Sequence, residues 1–531
     1  MVRQRVIGLT LTASLLASVA VGCSQTTSSN EGTSSQTPAS NGGTSTQVPA
    51  AKEKTKLRVA VGTEGLQYVE GSQNINEDPY VKKLRELSGI DVQLELIPHK
   101  DFNQKLTLIF AGGDLPQLLQ TRGINMPETA PAVDNGALYE LNELLDKYGP
   151  NLKKNIPKEA WDYGGVSKNG KIYGIPTLNP TPNDVVNFVR KDWLDKLNLS
   201  VPKTVDEYIN MLRAFRDKDP NGNGKQDEIP YSGREKLAWT EMFFGAYGVV
   251  PADWTLENGQ LVPNTVRAPM KEALKVYRTL YSEKLLDNEV FVQQPKDWDA
   301  KIKAQGIVGL WHHVPRLADK WAGEVMTGTP TAKLDIIPAP TGPDGKGGLT
   351  IKSIVGQNVW VIPKSNKKPE DAIKFLDWFY SDAAQKFLLY GIEGVDHTVN
   401  GGQIKYNFPV KTEDIYREEM HLTWLRFVSP SHILNKEFMK DRPNGEMVSK
   451  GIEVASKEGR KNDALGMPVM PTLQARPELG RDGLWLEFAA KVITGKESVD
   501  NFDKFVEDWK KRGGDQLIKE ATQWYNSVNK K

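Results

Sequence analysis

Between Leu57 and Phe110 the chain passes twice from a short apolar strand to an amphipathic helix, and this alternation limits the fold more than any other feature. Leu57-Arg58-Val59-Ala60-Val61-Gly62 reads as a strand ending in glycine, after which Val81, Leu84 and Leu87 fall at helical spacing across Pro79–Ser88. Val92–Ile97 alternates apolar and polar residues as a strand does, and Phe102–Phe110 is helical again. Parallel strands need a crossover and these helices supply it, so the spacing predicts an α/β lobe with a largely parallel sheet. Farther on, Val205–Arg216 and Lys271–Ser282 predict helices. Gly306–Leu310 predicts a buried strand running into Trp311. Gln357–Pro363 predicts a strand leading to a helix with Ala372, Ile373, Leu376 and Phe379 inward, and Phe502, Phe505 and Trp509 mark a late helical stripe.

Lysine plus arginine number 68 and aspartate plus glutamate 67, a formal charge of +1, which lacks the basic excess of a nucleic-acid binder. The balance also argues against a polyanionic ligand, although charge in a cleft can differ from the total. Cys23 is the only cysteine, so no internal disulfide can form. It follows Arg3, Arg5, an apolar run over Val6–Val21 and the small residue Gly22, which together read as an export signal over residues 1–22. A cysteine directly after such a site resembles a bacterial lipobox, although Ala20 stands where leucine is commonest. The alternative is an ordinary signal with a chance cysteine. Residues 23–55, Ser/Thr-rich and without periodicity, then read as a lipidated Cys23 and a disordered tether. The body would sit on the extracellular face of the cell membrane, in the manner of a Gram-positive lipoprotein. After the signal no apolar run is long enough to span a bilayer.

Five separated segments share one resemblance. Ala111-Gly112-Gly113-Asp114-Leu115-Pro116, Asn169–Pro176, Arg190–Leu194 with Pro202-Lys203-Thr204, Val361–Ser365 and Ile493–Glu497 are similar, in order, to segments of the extracellular solute-binding proteins, family 1. The resemblance implies an α/β, two-lobe periplasmic-binding-protein-like fold (type II), with the ligand cleft between lobes joined by a hinge. It implies residues 56–180 plus 356–415 in the first lobe and 181–355 plus 416–531 in the second. It further implies a monomeric, lipid-anchored substrate-binding subunit of an ABC importer, not an enzyme. Such a subunit captures a sugar or oligosaccharide and delivers it to the transmembrane subunits of a permease.

Local chemistry is sharpest in Asp219-Pro220-Asn221-Gly222-Asn223-Gly224-Lys225-Gln226-Asp227-Glu228. Asp219, Asn221, Asn223 and Asp227 place side-chain oxygens at regular spacing, Lys225 offers its carbonyl, and Gly224 permits a tight turn. This follows an EF-hand loop, whose hard oxygen ligands suit a structural Ca²⁺. It departs from that pattern at Pro230, where a bidentate glutamate belongs, leaving Glu228 as the replacement ligand. The alginate-binding members of the family carry a similar calcium loop. The alternative is a plain Asn-Gly turn.

A sugar site needs aromatic faces and planar polar groups. The chain has 13 tryptophans. Trp311 leads, because it follows a buried strand and its segment resembles the family's "INGPW" strand end, whose tryptophan stacks on sugar. Trp239, Glu64, Arg122, Asn183, Asp184 and Glu393 are further candidates, with Asn183 and Asp184 expected where the chain crosses the hinge. For each, a structural role is the alternative. His312-His313 lacks a third metal ligand at suitable spacing. Gly342–Gly348 lacks the Walker spacing and reads as a surface hairpin. A glycosidase would need two carboxylates flanking the bond, for which Glu64, Asp184 and Glu393 would be first suspects. Binding of a peptide or another solute is a third reading.

Overall fold

The computed structural model describes residues 56–529. The export signal, Cys23 and the tether lie outside the described residues. Nine strands form the two main sheets: β1 (Lys56–Gly62), β2 (Asp91–Ile97), β3 (Leu118–Thr121), β4 (Gly174–Leu178), β5 (Val186–Arg190), β6 (Ile229–Tyr231), β7 (Val308–His313), β8 (Leu334–Ile337) and β9 (Val355–Val361). The first sheet has the order β2-β1-β3-β9-β4. Its β1 pairs in parallel with β2 and β3, through the crossover helices Pro79–Ser88 and Phe102–Gly112 expected from the periodicity. The late strand β9 enters antiparallel between β3 and β4. The second sheet has the order β8-β5-β7-β6, with β5 antiparallel to β7 and β8 and β6 parallel to β7.

Local chemistry explains where elements begin. Asp78 caps the first crossover helix by accepting from the Tyr80 amide at 2.8 Å, with Pro79 in the first turn. Thr204 and Glu207 form a reciprocal capping box at the start of Val205–Asp217. Asn169 and Gly170, both at positive φ, make the turn between the strands Ser167–Lys168 and Lys171–Ile172.

The chain leaves the first sheet after β4 and returns to it at β9, and these crossing segments lie side by side. The Asn179 side chain donates to the Ser353 carbonyl at 2.7 Å, and the Lys352 amide donates to the Pro182 carbonyl at 2.8 Å. Residues 420–428 depart from the expected boundary at 415/416. Met420, Trp424, Leu425, Phe427 and Val428 are buried in the core of the first sheet, where Trp360 stacks on Phe427 at 4.5 Å. Indole donors lock this segment there: Trp424 Nε1 donates to the Gly62 carbonyl and Trp360 Nε1 to that of Phe427, each at 2.8 Å. Ile433, Phe438 and Met439 pack instead with Phe188 and Trp311 of the second sheet. Gly342–Gly348 is a turn without strand pairing, tied down by the Asp344–Arg460 ion pair, and not a hairpin.

Candidate functional site

Two adjoining cavities open where the sheets and crossing segments meet. The larger, about 480 Å³, takes Thr177 of β4 and Asn358 of β9 from the first sheet. The rest of its wall includes Arg316, Lys320, Thr423 and Arg442. The register of β9 against β4 shifts between Val355 and Val359, and Asn358 sits at this irregularity. Thr177 Oγ1 holds it by donating to the Asn358 carbonyl at 2.9 Å. The smaller cavity, about 300 Å³, is lined by Asn183, Asp184, Trp239, Glu241, Lys352 and Arg481, among others. Val314 borders the smaller cavity and Arg316 the larger, so one short segment separates them.

The residues expected from sequence fall into three groups. Asn183, Asp184 and Trp239 come together at the smaller cavity. Asn183 is held by a turn, its Oδ1 accepting from the Val185 amide at 3.1 Å, and Asp184 pairs with Lys352 across the crossing segments. Trp239 is half-buried, has φ of 60° and stacks on His313 at 4.4 Å. A bulky residue in left-handed backbone is an outlier that the surrounding fold must hold in place. Next to it, Glu241 accepts from His312 Nε2 at 3.1 Å. Burial pushes the Glu241 pKa up, but His312 and Arg481 outweigh it and hold the carboxyl below the usual range.

Glu64 and Arg122 form a second group, paired at 3.0 Å. The Arg122 guanidinium lies over the Phe102 ring and also bonds Asn358, which carries the pair to the wall of the larger cavity. The third group stands apart. Glu393 is exposed in a loop and borders neither cavity. Trp311 is fully buried and is a core residue, not a cleft residue. The strand does not stop before it: β7 continues to His313, where Trp311 pairs with and stacks on Phe188 at 5.6 Å and packs against Trp321 at 5.9 Å. Periodicity does not reveal where an interior strand ends when both of its faces are covered.

Sequence reasoning missed Arg316, Lys320, Glu418, Glu419, Arg426 and Arg442 of the larger cavity, and Glu241 and Arg481 of the smaller one. These residues come from segments far apart in the chain and carry no shared motif.

The loop Asp219–Glu228 keeps the turn geometry of a cation loop. Asp219 accepts from the amides of Gly222, Asn223 and Gly224 at 2.9–3.1 Å. The amide groups of Asn221 and Asn223 donate to Asp227, supplying positive hydrogens where a cation would supply charge. Both Glu228 carboxylate oxygens are buried with no hydrogen-bond partner. Burial, with the nearby charges of Asp219 and Asp227, raises the Glu228 pKa. Among the described residues no three His, Cys, Asp or Glu side chains converge as a metal group. The donor set here is instead a mixture of carboxylate, amide and carbonyl oxygens. An orphaned buried carboxylate among amide and carbonyl oxygens, within the electrostatic reach of Asp219 and Asp227, fits a hard divalent cation.

Among the described residues no helix is long and apolar enough to cross a membrane. The chain is 26% identical over 469 residues to the polygalacturonan/rhamnogalacturonan-binding protein YtcQ of Bacillus subtilis, covering 85% of this chain and 89% of that protein. It is 25% identical over 473 residues to lipoprotein LipO of the same organism, with the same coverage. In structure it is similar to the Streptococcus pneumoniae ABC-transporter substrate-binding protein FusA, as an EF-hand mutant in complex with fructo-nystose. That likeness has a TM-score of 0.60 at 21% identity, over 89% of this chain and 99% of FusA. Two α/β lobes joined by crossing segments around a cleft are the architecture of such proteins, and residues 76–386 match the family itself: this chain is a bacterial extracellular solute-binding protein.

Proposed function

We propose that this chain is the substrate-binding subunit of an ABC importer and that it captures a sugar or oligosaccharide between its lobes without breaking a bond. The observation that carries the reading is the larger cavity, whose wall is drawn from both sheets' sides. A ligand filling it touches Thr177 and Asn358 on one side and Arg316 and Lys320 on the other. Such contacts exist together only when the lobes are closed, so ligand favours the closed form, which a permease then engages. The paired crossing segments act as the hinge. Trp239 offers an aromatic face in the adjoining cavity, and together the two cavities have the size of a small-oligosaccharide site. The sugars named for YtcQ and FusA support this ligand class.

The packing supports lobes of 56–180 plus 356–430 and 181–355 plus 431–529. Against hydrolysis, the suspected carboxylates are engaged or lie elsewhere: Glu64 is bound to Arg122, Asp184 to Lys352, and Glu393 is in an exposed loop. The body is held outside the cell by lipid on Cys23, a reading that the lipoprotein LipO supports. A structural Ca²⁺ would be held by Asp219, Asn221, Asn223, Asp227 and Glu228 with the Lys225 carbonyl. The ion supplies charge that offsets the loop's carboxylates, and the EF-hand of FusA supports this reading.

The test is a thermal-shift screen of the purified chain against plant, algal and microbial oligosaccharides. A ligand at 100 times its dissociation constant should add about 2.7 kcal/mol of stability. A hit recovered intact is the expected result. A hit that is cleaved would replace binding with catalysis, and stabilisation by peptides alone would remove the sugar class.

A further inference from the structure

The charged groups around the larger cavity divide into a closed set and an open one. In the closed set Arg442 bonds Asp319 at 2.6 Å and Glu418 at 3.0 and 3.1 Å, and Tyr406 donates to Glu418 at 2.9 Å. Arg442 is shared by both carboxylates, so this set carries a net charge of −1. The open set is Arg316, Lys320, Arg426 and Glu419. Arg316 and Lys320 are exposed on the wall, and among the described residues neither side chain has an ion-pair or hydrogen-bond partner. Arg426 is only 9% exposed. Its terminal nitrogens donate to the carbonyls of Pro430 and Leu388, no carboxylate pairs with it, and its buried Nε has no partner. Glu419 is the one carboxylate of the open set, and burial pushes its pKa up against the pull of Lys320 and Arg316. His432, also on the wall, is pushed down to about 3 by burial and stays neutral.

In the open set three cations meet one carboxylate, and over both sets four cations meet three carboxylates. The cavity thus keeps an excess of positive charge, with Arg316, Lys320 and Arg426 outside any ion pair among the described residues. A neutral sugar would leave a buried guanidinium without counter-charge, and that is costly. A carboxylate supplies the charge and matches the guanidinium fork. A concave wall with an excess of one sign also concentrates ligands of the other. We propose that the larger cavity receives a carboxylate-bearing sugar unit of the uronic-acid type, selected by Arg316, Lys320 and Arg426. The proposal rests on the sugar-binding reading and narrows it to acidic oligosaccharides, with Thr177 and Asn358 left to meet hydroxyls.

Calorimetric titration of the full chain with short oligouronates, their methyl esters, sulfated oligosaccharides and neutral oligosaccharides tests this. The acids should bind about tenfold or more tighter than their esters, a preference that falls as salt is raised. Arg316→Gln combined with Lys320→Gln should remove the preference without moving the melting temperature of the ligand-free chain. If esters or neutral sugars bind as tightly as the acids, or the double variant keeps the preference, the proposal fails while sugar binding stands. Tighter binding of sulfated than of carboxylated sugars would overturn the carboxylate assignment. Binding of none of these probes would overturn both the proposal and the sugar reading.

Discussion

The loop Asp219–Glu228 and the wall around Arg316 both concentrate charge, and they do so by opposite routes. The loop takes all its polar groups from ten successive residues, so its spacing already carries its chemistry. The wall takes Arg316 from a turn before the helix Ala318–Gly328, Lys320 from that helix, and Arg426 from a segment packed on the other sheet. Neither its sign nor its existence follows from any one stretch. The loop's like charges lie within ten successive residues, and a bound cation would offset them. The wall's cations are neighbours only because two cores hold them there, and they call for an anion.

If the wall depends on the cores and the loop on its own turn, damage to a core should separate them. Trp311→Ala removes a buried ring between Phe188 and Trp321 and should cost about 3–5 kcal/mol of stability, read from denaturant unfolding. A loss below ~1 kcal/mol would return Trp311 to the cleft, where truncation affects ligand affinity and not the fold.

The next effect tests a buried link at the returning crossing segment, where Asp253 accepts from Thr350 Oγ1 at 2.7 Å. Burial raises the Asp253 pKa to about 6. The folded state therefore holds this proton more tightly than the unfolded chain does. Its stabilising contribution is complete below pH ~4 and is lost as pH rises through ~6, amounting to about 3 kcal/mol. Asp253→Asn should leave stability unchanged at pH 4 and raise it at pH 7. An equal effect at both pH values would deny that ionisation of this group matters.

Removing calcium is the smallest of the three effects. With the ion at 100 times its dissociation constant, chelation should lower stability by about 2.7 kcal/mol, and Glu228→Gln should reduce that response. The affinity of the cavity for its ligand should change little if the loop acts only on its own neighbourhood. An unchanged melting temperature, with no calcium by elemental analysis, would make the loop an ordinary turn. A collapse of ligand affinity on chelation would show that the two regions are coupled.

How much could be read in advance follows the same division. The crossover helices Pro79–Ser88 and Phe102–Gly112 and the strands beside them have the periods expected, because each buries one face against its own sheet. Asn183, Asp184 and Trp239, expected near the cleft from their places in the chain, line the smaller cavity together. Trp311 was misread because a tryptophan at a strand end and one inside a strand look alike when the strand is covered on both sides. Residues 420–428 pack with the first core beyond the approximate boundary at 415/416, because helical spacing shows which face is apolar but not which sheet receives it.

The sequence by itself determined the α/β alternation, the two-lobe family pattern in its five segments, and the oxygen-rich loop, since each is a property of neighbours along the chain. Tertiary structure alone decided that Trp311 belongs to a core, that Trp424 returns to Gly62, and that Arg316, Lys320 and Arg426 share one cavity. Periodicity records how a segment meets a neighbour of unspecified identity. The sign of the charge in a cleft depends on which distant segments meet there, and only packing of the two cores sets that.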